Sequence, residues 1–134
     1  MRDLHNNLAP LVALNIGAIA SNTTTNGAII DTRGFNSLEF VIQSGTLTDG
    51  TYTPALIEGN ASDLSDGSPV AADDLLGTVA AATFAATDDN KVKKLGYRGN
   101  KRFVRLSLVS AGASTGGTIG ATAILGHPRN APVA

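Results

Sequence analysis

Cysteine and tryptophan are absent from the 134 residues, and all aromatics together make up 4%. Without cysteine there is neither a disulfide staple nor a thiolate metal site, so stability must come from apolar burial or from partner subunits, and the fold needs no oxidising compartment. Apolar residues make up 43% of the chain and are largely Ala, Val, Leu and Ile. Such a core buries less area per residue than one containing Trp, and a light core helped by association is expected. An excess of charge is missing too: 10 Lys plus Arg against 11 Asp plus Glu leave a formal net charge of −1. That balance exerts no global pull toward nucleic acid or an acidic membrane surface.

Long apolar runs are also lacking. The most apolar stretch near the start, residues 8–20, is broken by Pro10, Asn15 and Gly17, and Asp3 cancels Arg2. Ala18-Ile19-Ala20 before Ser21 imitates a signal-peptidase site, but neither a secretory leader nor a membrane span is expected. The length suits one domain, read as residues 1–134 with extended N- and C-terminal arms, the latter from His127 onward.

What is present is alternation. In 35–44, Leu38, Phe40 and Ile42 share one face and Glu39, Val41 and Gln43 the other. In 102–110, Val104, Leu106 and Leu108 oppose Phe103, Arg105, Ser107 and Val109, a mixed second face suited to meeting a partner. The run 117–126 is apolar or small on both faces, which predicts burial on both sides. Weaker candidates at 11–20, 27–32, 51–58, 82–86 and 92–98 bring the total to eight strands. Eight short strands predict an all-β fold, a two-sheet sandwich, of which the jelly roll is the commonest eight-stranded version. In the long connection, 62–67 reads as a turn and Val70 to Leu76 as a helical turn ending at Gly77.

Charge is distributed unevenly. No Lys or Arg occurs from Gly34 to Asn90, where Glu39, Asp49, Glu58, Asp63, Asp66, Asp73, Asp74, Asp88 and Asp89 all fall. Lys91, Lys93, Lys94, Arg98, Lys101, Arg102 and Arg105 follow directly. One reading is local neutralisation within the fold. A second is intermolecular: a basic strand pair docks an acidic surface on another subunit and complementary potentials fix the register. A third, nucleic-acid stacking on Tyr97 and Phe103, has too few aromatics among its charges to be favoured. The candidate contact residues are those seven cations, Asp73 and Asp74, and His127 and Arg129 of the C-terminal arm.

Catalytic patterns are missing. His5 and His127 lie near opposite ends, with no metal-ligand spacing, no GxSxG and no phosphate-binding glycine loop. Gly116-Gly117-Thr118-Ile119-Gly120 reads as a strand-entry turn, and Asp73-Asp74 and Asp88-Asp89 as a helix start and a turn. No enzyme activity and no cofactor are expected.

Five stretches read together carry a resemblance: MRDLHNNL at 1–8, GFNSLEFVI at 34–42, DLLGT at 74–78, DDNKVKKLGYRGNKRFVRL at 88–106 and ILGHPRNAPVA at 124–134. Across nearly the whole chain, in order, they resemble the capsid cement, or decoration, proteins of tailed bacteriophages. The resemblance implies a jelly roll assembled in the bacterial cytoplasm onto the outer surface of an icosahedral virion capsid. It implies neighbouring major capsid protein subunits as partners, self-pairing as a homodimer, and no catalytic residues, nucleic acid or membrane. A jelly-roll module that binds carbohydrate or a receptor is the alternative; a sugar site typically needs aromatic platforms, which this chain supplies sparingly.

Overall fold

A computed structural model describes residues 1–133. Ten strands run in chain order: β1 (Leu8–Ile19), β2 (Thr24–Asp31), β3 (Phe35–Leu47), β4 (Thr51–Gly59), β5 (Ser68–Pro69), β6 (Leu75–Leu76), β7 (Phe84–Ala85), β8 (Val92–Tyr97), β9 (Phe103–Ala111) and β10 (Gly117–Pro128). All eight expected strands are present, and the two additional ones, β5 and β6, are two-residue pairings within the long connection. The expected helical turn is confined to a 3₁₀ turn at Ala72–Asp74. Leu75 and Leu76 leave it to pair with Tyr97 and Gly96, because an open sheet edge offers them backbone partners.

The pairings are nested. β1 lies against β10, β2 against β9, β3 against β8, and β4 against β5 and β7, all antiparallel. One sheet has the order β1-β10-β3-β8-β6 and the other β2-β9-β4-β5, with β7 also on β4. A long antiparallel hairpin rolled up so that its successive pairs alternate between two sheets gives this order, which is the jelly roll.

The alternation read from the sequence sets which faces meet. Phe40 and Ile42 of β3 and Val104, Leu106 and Leu108 of β9 are fully buried between the sheets, joined by Tyr52, Phe84, Leu95 and Ile119. Each such side chain contributes about 1.5–3 kcal/mol on burial. Ala13, Ala82, Ala123 and Pro54 are fully buried as well, so the core is light.

Turns at one end are fixed by carboxylates. Asp49 accepts from the Ser114 hydroxyl at 2.7 Å and from the Gly116 and Thr115 N–H groups at 2.6 and 3.1 Å. These bonds hold its carboxyl down at about 2. Gly116, at φ 80°, takes a left-handed conformation that brings the chain against the Ile19 carbonyl and into β10, the strand-entry turn the glycines implied. At the other end, the stretch expected as an extended C-terminal arm continues β10 to Pro128. The Arg129 N–H then donates to the Gly34 carbonyl and the Val133 N–H to the Asn6 carbonyl, both at 2.9 Å.

Candidate functional site

The charges segregated along the sequence are interleaved in space. Asp88, just before β8, takes Lys91 at 3.1 Å and Lys93 at 3.1 Å. The Ala85 N–H and these two ammonium groups push its carboxyl far below the usual carboxylate range. Lys93 points toward the core side of its strand, donates to the Thr83 carbonyl at 2.6 Å and lies 5.0 Å from the Phe84 ring centre, so it closes one end of the sandwich. Arg102 makes a two-pronged pair with Asp31, at 2.8 Å on each arm, and stacks over Phe103. Local neutralisation therefore accounts for Lys91, Lys93 and Arg102.

The other candidates separate into three places. Arg98, Lys101 and Arg129 line the end of the sandwich at the β8–β9 turn, where Asp73 and Asp74 offer Arg98 their carbonyls. His127 Nδ1 is hydrogen-bonded with the Ser37 hydroxyl at 2.9 Å near the same end. Lys94 stands on the outer face of the β1-β10-β3-β8-β6 sheet, and Arg105 on the outer face of the other sheet, paired in register with Ile29 and Ile57. Buried Arg105 Nε has no hydrogen-bond partner among the described residues.

The outer face that carries Lys94 is the surface that sequence reasoning missed. Register places Pro10, Ile124, Glu39, Gly96 and Leu76 in one cross-strand row, and Val12, Thr122, Val41 and Lys94 in the next. Gln43 and Val92 continue it beside Gly120, over which Ile16 lies. Val12 is 60% exposed, Ile16 76% and Val92 59%. Charge in these rows is limited to Glu39 and Lys94; burial raises the Glu39 carboxyl above its ordinary value, while Lys94 opposes that shift.

The expected burial of β10 on both sides holds for its inner residues and fails outside, where Thr122 is exposed and Ile124 half-buried. None of the described residues folds over that face. The available signal is the absence of any charged residue from 8–19.

No group of three or more His, Asp or Glu side chains suited to a metal ion occurs among the described residues. What the geometry provides is area: a mostly apolar sheet face and an end that carries Arg98, Lys101 and Arg129.

No protein-family model matches the chain, and no curated protein matches it either. Among solved structures it is similar to the crystal structure of the SPBc2 prophage-derived protein YomS, at 13% identity and a TM-score of 0.41, over 89% of this chain and 92% of that one. A likeness of that degree carries no functional assignment.

Proposed function

We propose that the chain is a structural virion protein that binds the outside of an icosahedral phage capsid and cements neighbouring major capsid protein subunits. The observation that carries this reading is the uncovered apolar face built from Pro10, Val12, Ile16, Val41, Val92 and Ile124. Exposed apolar surface of this kind mark sites of protein association, and burying it favours a docked state. The light core fits the same role, because a partner that binds only the folded chain stabilises it by mass action. The residue stretches that resemble phage cement proteins support the major capsid protein as the partner. No enzyme activity belongs to this proposal. The carbohydrate-binding alternative is disfavoured because five of the six aromatics are buried, leaving only Phe35 half-exposed.

The test is made on particles. A cement protein occurs in many copies, at a fixed ratio to the major capsid protein, and particles lacking it break at lower temperature. The double variant Val12→Glu/Ile16→Glu, placed on exposed positions, folds normally and fails to join the shell. A handful of copies per particle, or unchanged attachment of the double variant, refutes the proposal.

A further inference from the structure

The turn between β8 and β9 presents Arg98, Lys101 and Arg102 within five residues, and it is held from several sides. The Arg98 N–H donates to the Asp74 carbonyl at 2.9 Å, and its Nε to the Asp73 carbonyl at 2.8 Å. The Lys101 N–H donates to the Tyr97 hydroxyl at 3.0 Å, while the N–H and hydroxyl of Thr32 both donate to the Arg102 carbonyl, at 2.9 and 2.8 Å. Gly99 lies on Tyr97 itself, where a Cβ would fall 2.6 Å from the ring. The loop is thus ordered before any ligand arrives, which removes much of the entropy cost of binding.

Beneath the turn runs a groove. Thr32, Phe35 and Asn36 form its opposite wall, and it continues past Lys101 to Arg102 and Arg129. No carboxylate lines it, and of its cations only Arg102 is ion-paired among the described residues. The N–H groups of Gly99 and Asn100 find no acceptor among the described residues.

We propose that this groove binds a short acidic segment of a partner protein, its carboxylates taken by Lys101, Arg129 and Arg98 and by the free N–H groups of the turn. The inference rests on reading the chain as one that docks on a larger protein assembly, and it names the chemistry of one contact. A short segment fits better than a nucleic acid. Asp31, Asp66, Asp73 and Asp74 stand close around the basic turn and repel a long polyanion, and the buried Tyr97 ring is closed to base stacking.

The experiment is a titration of the ¹⁵N-labelled chain with the capped hexapeptide GGDEGG, followed by amide chemical shifts. Saturable shifts are expected at Gly99, Asn100 and Lys101, weakening as salt rises. The variant Lys101→Glu/Arg129→Glu loses about tenfold or more in affinity, a change of about 1.4 kcal/mol. Lys101→Ala, a milder change, gives a smaller loss in the same direction and serves if the double variant unfolds. Absent shifts, shifts spread over the outer sheet faces, equal binding by the variants, or larger shifts with a thymidine hexanucleotide each overturn the inference. Copy number per particle does not depend on this titration, so the groove can fail while the cement reading stands, and the reverse.

Discussion

Replacing Tyr97 with Phe removes one oxygen and leaves the ring, which is 5% exposed, in place. That oxygen ties three segments together: it donates to Glu58 Oε2 of β4 at 2.6 Å and accepts from the Lys101 N–H of the β8–β9 turn at 3.0 Å. A hydrogen bond to a charged group contributes about 1.5–3 kcal/mol net. The lost Lys101 partner adds little, because that N–H lies at a turn that water can reach. The expected cost is therefore about 2 kcal/mol. For a chain of this size each kcal/mol moves the midpoint by about 3–5 °C, so Tm should fall by about 6–10 °C. Glu58→Gln keeps an acceptor for the hydroxyl and should cost about half as much. Thermal unfolding followed by far-UV circular dichroism measures both. A second readout is optical: burial, and then the Glu58 carboxylate, raise the Tyr97 hydroxyl well above its ordinary value, and burial raises that of Tyr52 too, so Tyr97→Phe should remove part of the late-ionising tyrosine signal in an alkaline titration. A Tyr97→Phe midpoint within about 1 °C of the parent, or a Glu58→Gln loss as large as that of Tyr97→Phe, refutes the reasoning.

Two further outcomes follow from the interior and from the carboxylate that fixes the turns. Phe40→Ala empties a fully buried position flanked in register by Ala123 and Leu95 and should cost about 3–5 kcal/mol, read as a lower urea midpoint with unchanged slope. Asp49, depressed from 3.8 to about 2 by its bonds to Ser114, Gly116 and Thr115, lends stability that is complete above pH 3.8 and disappears as pH falls through 2. Asp49→Asn should accordingly lower Tm at pH 7 and flatten the acid side of the stability profile between those two values; a variant with the parent's acid profile contradicts this assignment.

Period-two patterning made the long strands legible, because Leu38, Phe40 and Ile42, and Val104, Leu106 and Leu108, must face a core once one side meets water. The two-residue strands β5 and β6 were not legible, since Leu75 and Leu76 owe their conformation to the β8 edge and to no local preference. The charge map was legible only in part, for a related reason. A run of lysines looks like one pole on paper, yet alternation sends Lys93 toward the core side and Lys94 outward, and an acidic turn immediately before β8 neutralises Lys91 and Lys93. The apolar outer face needed register to be seen, because Val12, Thr122 and Val41 are neighbours only across strands far apart in sequence.

The nested pairing also dictates when the molecule can form. β10 sits between β1 and β3, so the sheet that exposes the apolar face has a gap between these two strands until Gly117–Pro128 leaves the ribosome. Earlier segments can pair only in part, and the earliest strand must wait for nearly the last. Closure of this sheet is thereby deferred until β10 has been made, and the apolar face exists as a continuous surface only from that point.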